Sequence, residues 1–98
     1  MTKLTQLLFI LLFSITTQSQ TKKFKVVLDA GHGGKDYGAT YHGNIEKKIS
    51  LNTVLKVGEI LSRESNIDVV YTRKTDVFVE LNERANIANR SKGHLFVS

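Results

Sequence analysis

Apolar and polar positions alternate along the chain in blocks that predict three strands and two helices. Short runs at residues 24–29, 67–72 and 95–97 are rich in β-branched and aromatic residues, as buried strands are. Residues 46–64 carry apolar side chains at three- and four-residue spacing among charged ones, which predicts an amphipathic helix. A shorter helix is predicted from residue 81 to about residue 89. The order strand, helix, strand, helix, strand predicts an α/β fold with a mainly parallel, twisted sheet and helices on both faces.

The third predicted strand lies at the end of the sequence, with no following helix to cover its second face. Parallel sheets are usually covered on both faces, and two or three strands with two helices rarely suffice for this. We therefore expect residues 20–98 to form the N-terminal part of a larger domain, truncated at its C-terminal end.

The first residues of the chain have the three parts of a secretory signal peptide. Lys3 gives a positive start, residues 7–15 are almost entirely apolar, and residues 16–19 are polar, with small side chains at Thr17 and Ser19. The apolar run is far shorter than the ~20 residues that span a bilayer as a helix. We expect a signal peptide at residues 1–19, no stable membrane anchor, and export to the periplasm or the extracellular cell envelope.

Composition narrows the classes of function. The chain has no cysteine, which excludes a disulfide scaffold and a cysteine-type zinc site. Its formal net charge is +5, from 14 Lys and Arg against 9 Asp and Glu. A basic exported protein suits a polyanionic envelope. Nucleic-acid binding would rest on the charge alone, and the export signal and the lack of aromatic residues among the basic ones argue against it.

Candidate chemistry lies in the glycine-rich loop after the first strand, because open parallel sheets bind ligands beyond the carboxyl ends of their strands. Nucleotide motifs do not fit this loop, since Asp36 replaces the third glycine of G-x-G-x-x-G and Asp29 replaces the first glycine of a P-loop. A metal site is the other possibility: His32 is in the loop, Glu46 begins the long helix, and both residue types bind zinc. From spacing alone, a turn histidine and a glutamate favoured by the helix dipole are the more frequent interpretation.

Two motifs resemble a known family. The segments VLDAGHGGKDYGA at 27–39 and GNIEK at 43–47 resemble the opening of the zinc-dependent N-acetylmuramoyl-L-alanine amidases, which cut bacterial cell-wall peptidoglycan. The resemblance continues in the family's order to the end of the chain, at residues 72–76, Leu81 with Arg84, residues 88–89 and residues 95–98. It implies that His32 and Glu46 are zinc ligands.

Other parts of that family's site would lie outside this sequence. The resemblance implies a third zinc ligand, a histidine two positions beyond Ser98, and a catalytic glutamate further on, so no catalytic residue is assigned within the chain. It also implies a hydrolase that cleaves the amide bond between N-acetylmuramic acid and L-alanine, with Zn²⁺ as cofactor and peptidoglycan as partner. The alternative is a truncated, non-catalytic amidase relic in the cell envelope.

Several other polar residues have two interpretations each. Arg73 and Asp76 are weak candidates for substrate binding or for bracing the loop, and a structural ion pair in a turn is the more frequent interpretation. Arg84 would either reach an acidic partner at the floor of the site or lie on a solvated helix face. His94 would enter the third strand from the wrong end to bind the metal, so we interpret it as a strand-edge histidine. His42 is interpreted as a loop residue without a role.

Overall fold

The computed structural model describes residues 22–98, and the predicted signal peptide lies outside these residues. The described strands are β1 (Phe24–Leu28), β2 (Thr40–Tyr41), β3 (Asn44–Ile45), β4 (Ile67–Tyr71) and β5 (Leu95–Val97). The described helices are α1 (Glu46–Leu61) and α2 (Leu81–Arg90). No helix among residues 22–98 has the length and apolar character needed to cross a membrane.

β1 is the central strand of a parallel sheet with the order β4-β1-β5. Its register pairs Phe24 with Ile67 and Leu28 with Tyr71, and on the other side pairs Leu28 with Val97. The three strands therefore end at the same edge of the sheet, and the glycine-rich loop leaves β1 at that edge. This arrangement confirms the predicted α/β fold with a parallel sheet.

The two helices pack against opposite faces of the sheet. Gly58 in α1 lies directly against the Tyr71 side chain, with no room for a Cβ atom. Tyr71 is the register partner of Leu28, so both side chains are on the face that α1 covers. Val27 points to the other face and is in contact with Gly93, just after α2. Helices on both faces were predicted from the sequence.

A small apolar core and a set of buried polar groups lie along β1. The buried apolar side chains of the described residues are Val26, Val27, Leu28 and Ala30. The buried polar and charged residues are Asp29, Lys47, Thr72, Arg73 and Arg84. Since most of these polar residues follow a strand or face the glycine-rich loop, the carboxyl edge of the sheet has a polar interior.

The predicted boundaries of α1 need a correction. The helix ends at Leu61 rather than near residue 64. The Ser62 N–H still bonds the Gly58 carbonyl, but the Arg63 and Glu64 N–H groups bond the carbonyls three residues earlier. The last predicted turn is therefore a tighter turn that leads into β4.

A short hairpin that the sequence analysis did not predict precedes α1. Strands β2 and β3 are antiparallel and joined by His42 and Gly43, which both have positive φ values of 49° and 78°. Two central residues with positive φ form the turn that suits the twist of a two-residue hairpin. His42 is thus a turn residue, and the hairpin leads directly into α1, which begins at Glu46.

Candidate metal centre

His32 is held in a strained turn after β1. Its φ of 63° is in the left-handed region, which costs a residue with a Cβ roughly 1–2 kcal/mol. The turn continues through Gly33 and Gly34, also with positive φ, and is closed by two backbone hydrogen bonds between Gly33 and Asp36, at 2.8 and 3.0 Å. This closure brings the Asp36 side chain back beside the His32 ring.

Glu46, the first residue of α1, faces His32 across the site. The distance between His32 Nε2 and Glu46 Oε1 is 2.9 Å. On the other side of the ring, His32 Nδ1 is 2.9 Å from Asp36 Oδ2. The second oxygen of Glu46, Oε2, accepts a hydrogen bond of 2.7 Å from the Ala39 N–H. The structure thus brings together the two residues that were predicted as metal ligands.

Gly38 fits between these two side chains because it has none of its own. Its φ is 68°, and a Cβ atom there would lie 2.7 Å from His32 Cδ2 and 2.8 Å from Glu46 Oε2. A glycine is therefore needed at this position both for its backbone conformation and for its close approach to the pair.

The charges of the site favour a cation between His32 and Glu46. The hydrogen bond to Asp36 is the main cause that raises the pKa of His32, and the Glu46 contact adds to it against partial burial. The Ala39 N–H and then His32 lower the pKa of Glu46. An Nε2 atom without a proton and an ionised Oε1 atom are both hydrogen-bond acceptors and repel each other. Their close contact therefore requires a proton between them, or a metal ion in place of that proton.

The atoms present also suit zinc. An imidazole nitrogen and a carboxylate oxygen are zinc ligands. Two ligands about 2.0–2.2 Å from a tetrahedral ion lie roughly 3.4 Å apart, so Nε2 and Oε1, now 2.9 Å apart, would separate by about 0.5 Å to hold one. Both ligand groups have their remaining polar atoms hydrogen-bonded, as metal ligands usually do. Within residues 22–98, no group of three or more His, Cys, Asp or Glu side chains could hold a metal. His32 and Glu46 thus supply part of a ligand set.

Arg84 and Asp29 form the floor of the site. Arg84 Nη1 donates to Asp29 Oδ1 at 2.8 Å, and both side chains are 6% exposed. The same guanidinium donates to the carbonyls of Ala30 and His32 at 2.6 and 2.8 Å. The acidic partner predicted for Arg84 is therefore confirmed, and the solvated helix face is wrong.

Asp29 in turn connects the ends of the three parallel strands. It follows β1 directly, accepts a hydrogen bond from Thr72 Oγ1 after β4 at 2.7 Å, and accepts one from Ser98 Oγ after β5 at 2.7 Å. Burial on its own would raise the pKa of Asp29, but the hydrogen bonds from Arg84, Ser98 and Thr72 outweigh it and hold the pKa below its ordinary value.

Among the described residues, Arg73 and Asp76 do not form the ion pair that was the alternative interpretation. Arg73 is 4% exposed, and its guanidinium donates to four backbone carbonyls and the Ser50 hydroxyl. Asp76 is paired instead with Lys47 Nζ at 2.9 Å and accepts the Gly34 N–H at 2.8 Å. Both residues thus brace the glycine-rich loop, and Asp76 alone keeps a largely exposed side chain.

His94 lies far from the candidate ligands, at the amino end of β5. Its ring stacks on Phe24, its Nδ1 accepts the Lys25 N–H at 2.9 Å, and its own N–H donates to the Lys25 carbonyl. It is the strand-edge histidine that the sequence predicted.

Two clefts flank His32. One, of about 330 Å³, is lined by His32 and Glu46 together with Ser50, Thr53 and Val54 of α1. The other, of about 470 Å³, is lined by His32 and Asp36 together with Phe78, Val79 and Leu81. His32 thus lines both clefts, whereas Glu46 lines only the first.

Sequence reasoning missed the part that Asp36 and Lys47 play. In the sequence, Asp36 counts as a departure from a glycine motif and as part of the segment 27–39, and Lys47 as part of the segment 43–47, but neither has a role of its own assigned. A carboxylate four residues after a candidate histidine ligand, with glycines between them, is the signal that could have indicated Asp36. For Lys47, which is 5% exposed and donates to the Gly34 carbonyl and Asp76, helical periodicity offered no such signal.

Comparison with known proteins gives consistent matches. The sequence model of the N-acetylmuramoyl-L-alanine amidases matches residues 26–98. The chain is 53% identical over 73 residues to the endolysin of Bacillus phage SPP1, covering 74% of this chain and 27% of that protein. It is 39% identical over 75 residues to the sporulation-specific N-acetylmuramoyl-L-alanine amidase of Bacillus subtilis, covering 76% of this chain and 29% of that protein. The chain thus spans less than a third of the length of these two curated relatives.

Solved structures show the same fold. The catalytic domain of CwlV, the N-acetylmuramoyl-L-alanine amidase from Paenibacillus polymyxa var. colistinus, is 44% identical with a TM-score of 0.75, over 76% of this chain and 43% of that one. The N-acetylmuramoyl-L-alanine amidase from Clostridium difficile 630 is 34% identical with a TM-score of 0.76, over 79% of this chain and 42% of that one.

Proposed function

The chain belongs to the N-acetylmuramoyl-L-alanine amidase family, and on that premise we propose that the protein is a zinc-dependent hydrolase of bacterial peptidoglycan. The bond cleaved is the amide between N-acetylmuramic acid and L-alanine. The observation that carries this proposal is the contact of 2.9 Å between His32 Nε2 and Glu46 Oε1 at the carboxyl edge of the sheet. These are the two residues that the family resemblance identifies as ligands.

His32 and Glu46 would hold the ion, with the family's third histidine ligand expected beyond Ser98. Bound zinc supplies a Lewis acid for the amide carbonyl and lowers the pKa of a bound water toward ~7. The residues of this chain would orient the two ligands. Asp36 contacts the ring of His32, and the Ala39 N–H donates a hydrogen bond to the second oxygen of Glu46. The general base is expected outside this sequence as well.

We place this activity outside the cytoplasm. Peptidoglycan lies in the cell envelope, and residues 1–19 are the expected export signal. Without Lys3 of that signal the net charge falls from +5 to +4, which still suits a polyanionic envelope. Neither nucleic acid nor a stable membrane anchor has a part in the proposed function.

Product analysis on purified sacculi tests the proposal. We expect the full-length protein to release stem peptides whose L-alanine has a free amino group and to leave glycan strands without peptides, as read by mass spectrometry. A chelator should abolish this release and added zinc should restore it. The appearance of new reducing sugar ends would indicate a glycosidase instead. Intact sacculi in the presence of folded, zinc-loaded protein would indicate the non-catalytic alternative.

A further inference from the structure

The segment 36–39 bonds one atom of each candidate ligand and leaves the other atom free. Asp36 Oδ2 is 2.9 Å from His32 Nδ1, and the Ala39 N–H donates to Glu46 Oε2 at 2.7 Å. The atoms that remain, His32 Nε2 and Glu46 Oε1, face each other at 2.9 Å. The segment therefore determines which atoms of the two side chains are available to a metal.

Asp36 is not itself a third ligand of the same ion. Its carboxylate contacts Nδ1, and Nδ1 and Nε2 point away from opposite sides of the imidazole ring. An ion between Nε2 and Glu46 is therefore on the far side of the ring from Asp36. This geometry agrees with the finding that residues 22–98 contain no cluster of three potential ligands.

A neutral imidazole has one N–H and one free lone pair, and only the nitrogen with the lone pair can bind a metal. A carboxylate next to Nδ1 favours the N–H at that nitrogen. Glu46 is equally close to Nε2, but a metal ion between Nε2 and Oε1 would take the place of a proton there and leave the lone pair on Nε2. We propose that Asp36 is the positioning residue that selects this tautomer and orientation of His32, so that Nε2 is directed toward Glu46. This inference rests on the proposed zinc-dependent function and assigns Asp36 a part in it.

A purely structural role for Asp36 is the competing explanation, since Oδ1 also accepts the Gly38 N–H at 3.1 Å. Asp76 provides a matched control. Its carboxylate also accepts a backbone N–H of the glycine-rich loop, from Gly34 at 2.8 Å, but its contacts are with Lys47 and not with His32. If bracing the loop were all that mattered, the Asp36→Ala and Asp76→Ala variants would behave alike.

The test is nitrogen NMR of the zinc-loaded, full-length protein labelled with ¹⁵N-histidine, with His32 assigned by comparison with a His32→Ala sample. We expect a slowly exchanging proton on Nδ1 and a proton-free Nε2. Asp36→Ala should lose the Nδ1 proton signal to exchange with solvent and weaken zinc about 10–100-fold in competition with a chelator. Asp76→Ala should retain both the signal and the affinity.

Two results would overturn the assignment of Asp36 while leaving the zinc function intact. One is a zinc-loaded protein with the proton on Nε2, and the other is an Asp36→Ala variant with unchanged zinc affinity. A wild-type protein that binds no zinc would overturn the proposed function, and the role of Asp36 with it.

Discussion

Arg84 and Asp29 form a buried ion pair beneath the candidate metal site, with Nη1 and Oδ1 2.8 Å apart. Because the same guanidinium also donates to the carbonyl of His32, the pair connects helix α2 to the residue that we assign as a ligand. Asp29 extends the connection to Thr72 and Ser98, at the ends of the other two strands. The geometry of the site thus depends on groups other than the two candidate ligands.

Replacing Arg84 by alanine should be strongly destabilising. The change leaves the Asp29 carboxylate buried without its cation, and breaking a buried pair in this way costs about 3–5 kcal/mol. Urea unfolding of the zinc-free, full-length protein measures the loss. Arg90→Ala is the control, because the pair of Arg90 with Glu83 is exposed to solvent and such pairs contribute little to stability. Equal losses of unfolding free energy in the two variants would contradict a stabilising buried ion pair between Arg84 and Asp29.

Acid should destabilise the protein through Asp29. Its pKa in the folded protein lies below its ordinary value, so its contribution is complete above about pH 4, the usual range of an unfolded aspartate. The contribution is lost as the pH falls through the lower, folded pKa. Asp29→Asn should therefore be less stable than wild type at neutral pH, with a smaller further loss in acid. Urea unfolding of zinc-free protein at a series of pH values tests this, and parallel pH profiles would contradict it.

Gly38→Ala should impair metal binding beyond the cost of its backbone strain. A Cβ atom at Gly38 would push against both His32 and Glu46, and we expect zinc affinity to fall at least 10-fold, as when the groups that orient a ligand are removed. Gly43→Ala is matched to it, with a positive φ of 78° and nothing within 4 Å of the added atom. Chelator competition should show little change for Gly43→Ala. Similar zinc affinities in the two variants would contradict the close approach of Gly38 to His32 and Glu46.

Arg73→Lys distinguishes bracing of the loop from substrate binding. A lysine cannot reproduce the hydrogen bonds to the carbonyls of Ala30, Gly31 and Lys47, and buried acceptors left unpaired cost about 1–3 kcal/mol. We expect a loss of that order in the free energy of unfolding, with the KM for a soluble muropeptide unchanged at a temperature where the variant is folded. An increased KM at unchanged stability would return Arg73 to the substrate-binding candidates.

The main elements of the fold could be predicted because their patterns are local. β-branched runs indicated the strands, helical spacing indicated α1 and α2, and chain order indicated a parallel sheet. The hairpin before α1 gives no such pattern, since its strands have two residues each and its turn depends on the positive φ of His42 and Gly43. Chain reversals of this kind are determined by backbone conformation rather than by hydrophobic periodicity.

The candidate site could be predicted only in part for a similar reason. His32 and Glu46 carry recognisable ligand chemistry, and the structure brings them together. Arg84 had two open interpretations, because a charged residue on a helix is solvated unless another chain segment buries it. Asp29 provides that burial through contacts 55 residues away in sequence, which no local pattern contains. Asp36 depends likewise on a tight turn that a glycine-rich sequence permits but does not determine.

Zinc content is the most direct test of the central claim that His32 and Glu46 hold a catalytic metal. The full-length protein, purified without chelator, should contain about one equivalent of zinc by elemental analysis, as a three-ligand site would hold. His32→Ala and Glu46→Ala should each lose the metal, whereas His42→Ala and His94→Ala should retain it, because these two histidines lie in a turn and at a strand edge away from the site. Zinc retained in His32→Ala or Glu46→Ala, or lost in His94→Ala, would contradict the assigned ligands.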